Sequence, residues 1–257
     1  MLTPTLSLIS CPPLTQSALA AAPAAAAAGV PAITTAGVFP GVSNLMAAAM
    51  VDAARSGGAA SLLASRNAST SAPPSSSSAA AASPAAAADP VEPARVRYSY
   101  YVAGSGGAGP AVLEASLLLA AQPARAYVGG NAVTRPAMTD PRPADFGPPL
   151  GEKTVTLLSL PEVDSTARVL GVPAVSARFA TAPAIFNWLT ALLVRAAPGW
   201  VGSRDGARAA ARLAAPLVAA ADAVVGSTLA MRVDVELVDG TAAAGLYLHR
   251  RATDAVG

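Results

Sequence analysis

Residues 231–250 read MRVDVELVDGTAAAGLYLHR, and this stretch decides the fold. Met231, Val233, Val235 and Leu237 alternate with Arg232, Asp234 and Glu236, the period-two pattern of a strand with one buried face. Asp239-Gly240 then reads as a two-residue type I′ hairpin turn. Such a turn pairs Met231 with Leu248, Val233 with Leu246 and Val235 with Ala244, so every residue of the core face meets an apolar partner. It also places His249 on the polar face, diagonal to Arg232.

Working outward from the hairpin, the chain alternates short strands and helices. Arg204–Val225 reads as a long apolar helix bent at Pro216, Pro183–Ala196 as a helix, and Pro173–Thr181 as a strand. Glu162–Leu170 is a short helix following Pro161, and Lys153–Leu160 a strand. Residues 136–151 carry many prolines and read as an extended loop. Tyr127–Val133 is a small hairpin turning on Gly129-Gly130, Pro110–Ala121 a helix and Val96–Ala103 a strand. Ser43 is the expected N-cap of a helix over Asn44–Arg55. Val30–Thr35 reads as a short buried strand, preceded by a helix over Ala18–Ala28 that stops at Gly29. The fold class expected is α/β with α+β character, a mixed, largely antiparallel sheet with helices on one face.

Residues 56–94 break this pattern. Ser, Ala, Pro and Gly dominate, and no large apolar residue occurs between Leu63 and Val91, so the segment reads as a disordered insertion.

Composition narrows the chemistry. The chain has 257 residues, of which 53% are hydrophobic, 12% charged and 4% aromatic. Cys11 and His249 are its only cysteine and histidine, which leaves no disulfide framework and no Cys/His zinc cluster. Lys+Arg 17 against Asp+Glu 15 gives a net charge of +2. The arginines are scattered singly apart from Arg250-Arg251, so no nucleic-acid footprint is expected. Residues 17–30 are apolar but alanine-rich, short and interrupted by Pro23, and no membrane span is expected. The first charge is Asp52 and the first positive one Arg55, unlike a signal or transit peptide, and the compartment stays open between cytoplasm and plastid.

Gly104-x-Gly106-x-x-Gly109 matches the dinucleotide-binding fingerprint, following a strand and opening a helix. The mechanism also needs a parallel strand ending in an acid about 20 residues further on. Here a hairpin follows the helix, and no acid occurs between Glu114 and Asp140. Two readings stay open: a loop whose backbone N–H groups hold a carboxylate or phosphate, and a tight turn that requires glycine.

Four blocks, Ala28–Ala49 (AGVPAITTAGVFPGVSNLMAAA), Arg97–Leu119 (RYSYYVAGSGGAGPAVLEASLLL), Leu157–Thr181 (LLSLPEVDSTARVLGVPAVSARFAT) and Met231–Arg250, resemble the saccharopine dehydrogenase-like family, in its photosynthetic, cyanobacterial and algal-type branch. The resemblance implies an NAD(P)-dependent oxidoreductase acting on an amino-acid-like or imine substrate. It implies residues 1–37 as the remnant of a Rossmann domain and 38–257 as the catalytic domain, interrupted by the insertion. Because no βαβ unit precedes residue 18, the phosphate-binding loop is expected to be missing, and the chain to be truncated. On the same resemblance Pro40, Gly41, Ser43 and Asn44 form the crossover beside the nicotinamide. Tyr100, Tyr101, Ser105, Gly106 and Gly107 line the substrate side. Other members carry an acid and a histidine where this chain has Ser43-Asn44.

The residues themselves offer Arg178, on the polar side of its strand, for a substrate carboxylate, because a guanidinium binds one bidentately; the competing reading is a surface or interface ion pair. Arg232 is a candidate for the same role, with Asp234 on its own strand as an ion-pair alternative. His249 is the candidate general acid/base, against a solvated strand-end histidine. Trp188 and Phe186, in a helix with Leu189 and Leu192, read as core, and Glu162 and Asp164 as first-turn acids favoured by the helix dipole. Expected partners are a small-molecule substrate and a second copy of the chain, with no nucleic acid and no membrane. The alternative to the oxidoreductase is a non-catalytic binding or dimerisation module.

Overall fold

A computed structural model describes residues 20–30, 37, 40–57, 89–104 and 110–249. Of the expected buried strand over Val30–Thr35 only Val30 is described, and it is 56% exposed and outside any strand; residues 31–35, most of the insertion and the Ser105–Gly109 loop lie outside the described residues. The hub is strand β1 (Pro93–Ala103), which pairs parallel with β6 (Ala174–Ala182) on one edge and antiparallel with β7 (Thr228–Leu237) on the other. β8 (Ala242–His249) pairs with β7. The far edge of β6 is shared by β2 (Ala124–Val128) and β5 (Glu152–Leu157), which form hairpins with β3 (Asn131–Arg135) and β4 (Arg142–Asp145) respectively. The sheet is mixed and mostly antiparallel, with the order β3-β2-β6-β1-β7-β8.

The alternation of β1 separates two different faces. Val96, Tyr98 and Tyr100 point to one side, where Val175, Ala177, Met231, Val233 and Val235 join them in a core under two helices. These are α2 (Val42–Arg55), which contributes Ala47, Met50, Val51 and Ala54, and α4 (Pro161–Val169), which contributes Val163. Tyr101 and Ala103 point the other way and pack with Ala180, Ala230, Ala144, Val155 and Phe146 under the β4–β5 hairpin. Helix α1 (Ala22–Ala27) precedes these elements and has no buried residue. A second helical group, α3 (Pro110–Ala120), α5 (Ile185–Ala196), α6 (Pro198–Val201) and α7 (Arg204–Val225), follows from the carboxyl ends of β1 and β6.

The hairpin departs from its expected register by one residue. Met231 pairs with Tyr247, Val233 with Gly245 and Val235 with Ala243. The loop has three residues, Val238-Asp239-Gly240, closed by Leu237 N–H donating to Thr241 O (2.8 Å) with Gly240 at φ +85°. Asp239 accepts from the Thr241 amide and hydroxyl, which favours this loop over the tight turn. Packing makes the same choice. Gly245 lies beneath α2, where even a Cβ would stand 2.9 Å from Met46 Cε and 3.2 Å from Met50 Sδ. Leu246 is therefore 47% exposed on the opposite face, beside Arg232 rather than Val233. The same slip carries His249 to the helix-covered side, paired with Leu229, its ring 6.4 Å from that of Tyr247.

Four further expectations are corrected. Helix α2 starts at Val42 with Gly41 as N-cap, not at Asn44 with Ser43. Gly41 sits at φ 142° so close to Gly37 that a Cβ would stand 1.8 Å from Gly37 O. Within the proline-rich 136–151 segment, β4 forms because β5 offers it an antiparallel edge. The insertion is ordered at its base: Ser56 and Gly57 close α2, Val91 N–H donates to Ala54 O, and β1 already begins at Pro93. Trp188 is 75% exposed, because α5 turns the Asn187 side towards β6. The Asn187 carboxamide there makes three hydrogen bonds of 2.9–3.0 Å with Thr181.

Gly104 shows what the first fingerprint glycine does locally. At φ +70°, a Cβ there would stand 2.2 Å from Gly226 O. Gly104→Ala is expected to lower the free energy of unfolding by about 1–3 kcal/mol, read from urea titration.

Candidate functional site

On the β4–β5 side of the sheet, the register sets arginines in rows. Ser99 of β1 lies between Arg178 of β6 and Arg232 of β7, and one row away Arg97 lies between Ser176 and Asp234. Adjacent strands are about 4.8 Å apart, so these side chains share one patch. β4 covers it with Arg142, Pro143, Ala144 and Asp145. The result is a partly open cavity of about 150 Å³, lined also by Val155, in which four arginines face Asp145 and Asp234.

Each guanidinium is held by a fixed partner. Arg178, with a side chain only 5% exposed, donates to Asp140 Oδ2 (2.5 Å) and to Ser176 Oγ (2.9 Å). Burial lowers its pKa, and Asp140 acts against that. Burial would raise the Asp140 carboxyl, but Arg178 and Arg142 together hold it below the usual carboxylate range. Arg232 donates to both Asp234 oxygens (2.7–3.0 Å) and to Asp145 O (2.6 Å), and the Asp234 contact raises its pKa. Glu236 accepts from both Arg95 (3.0 Å) and Arg97 (2.5 Å). Positive charge fixed in place and partly desolvated is suited to holding an oxyanion.

The expected site residues divide between the two faces. Arg178 and Arg232 are brought together around Ser99, and Tyr101 lies one row further along, its ring 5.9 Å from Phe146. Tyr100, Ser43 and Asn44 lie across the sheet from them. Ser105, Gly106 and Gly107 lie outside the described residues. Arg97 and Ser99 were missed because only the pairing of β1 with β6 places them beside Arg178, and Arg142 and Asp140 because only the β4–β5 hairpin and the turn before it bring them there.

The helix-side group is a buried polar network. Glu162, in the first turn of α4, is fully buried; its Oε1 accepts from Tyr100 Oη (2.8 Å) and Ser43 Oγ (3.1 Å), and its Oε2 has no partner. Tyr98 and Thr166 share a hydrogen bond of 2.5 Å, and Ser165 Oγ donates to Asn44 Oδ1. Pro40 and Ser43 are buried, and Gly41 and Asn44 are half-buried. Ser43 with Glu162, and Asn44 with Ser165, join α2 to α4. Among the described residues, no three metal-ligating side chains come together, and no helix is long and apolar enough to cross a membrane.

Desolvation raises the Glu162 pKa above its ordinary value of 4.5, against the opposing hydrogen bonds from its own backbone, Tyr100 and Ser43. The folded state therefore retains this proton where the unfolded chain has lost it. The resulting stability is complete below about pH 4.5 and is lost as pH rises through the folded-state value. Glu162→Gln is expected to remove that decline, measured by urea unfolding at a series of pH values.

Compared with known proteins, the chain matches no family model and no curated sequence.

Proposed function

We propose that the chain is the substrate-holding portion of an NAD(P)-dependent oxidoreductase of the saccharopine dehydrogenase-like kind, gripping the carboxylate of an amino-acid-like or imine substrate. The observation that carries this reading is the row Arg178–Ser99–Arg232, set by the pairing of three strands and opening into an arginine-lined cavity. The resemblance supports it as well, since the four resembling blocks supply β1, β6, β7, β8, α2 and α4, the centre of the sheet and its helical cover. On this reading NAD(P) supplies the hydride transfer. The residues of this chain bind and orient the carboxylate. Asp145 and Asp234, beside the arginines, suit the ammonium or iminium end of the same molecule.

Calorimetric titration with L-alanine and L-glutamate is expected to show saturable binding, weakened at least tenfold in Arg178→Met. Absence of binding to the unsubstituted chain would end the reading. NADPH fluorescence separates the two halves of the proposal: a saturable quench favours the oxidoreductase, and carboxylate binding with no quench leaves a binding module.

A dimerisation module is the second reading, and one feature of α5 favours it. Ile185, Trp188, Leu189 and Leu192 recur at i, i+3, i+4 and i+7, with exposures of 56%, 75%, 46% and 65%. A helix stripe of this spacing suits pairing with the same stripe of a second copy. Light scattering on the eluting chain is expected to give a dimer mass, reduced to a monomer by Trp188→Glu with Leu192→Glu. A monomeric unsubstituted chain would count against it.

A further inference from the structure

We propose that the outer edge of β8 is a self-association surface, on which two copies of the chain pair their β8 strands antiparallel about a two-fold axis at Leu246. The inference is independent of the carboxylate reading and uses a surface other than the α5 stripe.

Among the described residues, β3, β4 and β8 each pair with one strand only. An open strand edge is a template for pairing with another chain, and short length, charge or proline is the usual protection. β3 has five residues, ends in Arg135 and is followed by Pro136. β4 has four, with Arg142, Pro143 and Asp145 among them. β8 has eight, AAAGLYLH, and contains no Asp, Glu, Lys, Arg or Pro. It is the longest of the three and carries none of these devices.

The register shows which backbone groups face outward. Leu237 N–H donates to Thr241 O, which marks that pair as directly bonded, so alternate residues 243, 245 and 247 bond to β7. The backbone N–H and C=O of Ala244, Leu246 and Leu248 therefore point away from β7. A second copy is the occupant this sequence fits. With the axis at Leu246, that residue meets its own counterpart, Ala244 meets Leu248, and Gly245 meets Tyr247. Every contact is then apolar or aromatic, no like charges face each other, and a tyrosine ring covers the glycine.

Apolar surface continues on both sides of this edge. Met46 and Met50 of α2 stand over Gly245, and Asn44 faces α4 through Ser165. Helical spacing sets Leu45 and Ala49 beyond Met46, on the side away from α4, and both are exposed, Leu45 by 72%. On the other face of the sheet, Leu246 is half exposed. Joining two β8 edges covers these groups along with the backbone.

The test is cysteine cross-linking in the full chain carrying Cys11→Ser, which removes its only native cysteine. Leu246→Cys sets two thiols across the axis, where directly bonded partners have Cα atoms about 5.5 Å apart, within disulfide reach. Mild oxidation is expected to give a covalent dimer at least tenfold faster than with Val238→Cys, which is 66% exposed but lies in the β7–β8 loop, off the axis. Adding Ala244→Pro, which removes an outward donor and no bond to β7, is expected to slow the Leu246→Cys reaction at least tenfold. Helix α5 packs on β6, with β1 and β7 between it and β8, so a dimer formed through its stripe leaves the two Leu246 positions apart. Should Ala244→Pro fold poorly, amide hydrogen exchange in the unsubstituted chain gives the answer. The N–H groups of Ala244, Leu246 and Leu248 are expected to exchange at least fivefold more slowly at millimolar than at micromolar chain concentration. Equal cross-linking at Leu246 and Val238, a Leu246→Cys rate unchanged by Ala244→Pro, or exchange at these three amides that ignores concentration would each overturn the proposal.

Discussion

Pairing along both edges of β1 is the constraint on which the rest of the molecule depends. A strand held by a parallel partner on one side and an antiparallel one on the other cannot slip by one residue without exchanging every side chain between faces. Its alternation therefore assigns Val96, Tyr98 and Tyr100 to the helices, and Arg97, Ser99 and Tyr101 to the β4–β5 hairpin. β6 and β7 inherit that division, which turns three separate stretches of chain into one apolar core and one patch of paired charges.

The two faces are stabilised by different physics. The helix side combines apolar burial with a few well-oriented polar groups, and Glu162 there is tolerated because Tyr100, Ser43 and its position in the first turn of α4 offset part of its desolvation. The opposite side keeps charged groups half-buried by pairing them: Arg178 with Asp140, Arg232 with Asp234, and Arg95 and Arg97 with one shared Glu236. The ion pair is thus present for both arginines singled out in the sequence. Pairing also sets each guanidinium in place and does not close the cavity beside it, so an internal ion pair and a ligand contact are compatible at one residue.

Strand and helix positions were legible wherever a period was long enough to read. Arg204–Val225, the Gly129-Gly130 hairpin and the alternation of 231–237 all stand where the pattern puts them. The errors fall where a local rule competes with a distant contact. Asp-Gly is a strong tight-turn signal, yet Thr241 recruits Asp239, and Met46 and Met50 require the small Gly245 beneath them. Ser43 has the chemistry of an N-cap, but its hydroxyl is used by Glu162, 119 residues away. Trp188 looks like core by composition, until Asn187 fixes which side of α5 meets the sheet. The candidate site was half legible: Arg178 and Arg232 could be chosen singly as strand arginines on polar faces. Their common neighbour Ser99, and Arg97 beside it, become visible only once parallel and antiparallel pairings are superposed on one strand.

The stitching at the base of the 58–88 segment has a consequence for how the molecule tolerates change. Ala54 and Val91 are hydrogen-bonded, Arg55 and Glu92 form an ion pair of 2.9 Å, and Glu92 O accepts from Val238 N–H. The exit of α2 and the entrance to β1 thus meet at a clasp built from residues on either side of that segment. Loop-closure entropy grows only logarithmically with length. Once the clasp is made, a lineage can lengthen or shorten the intervening stretch, or alter its residues, at small thermodynamic expense and without disturbing the register of the strands behind it.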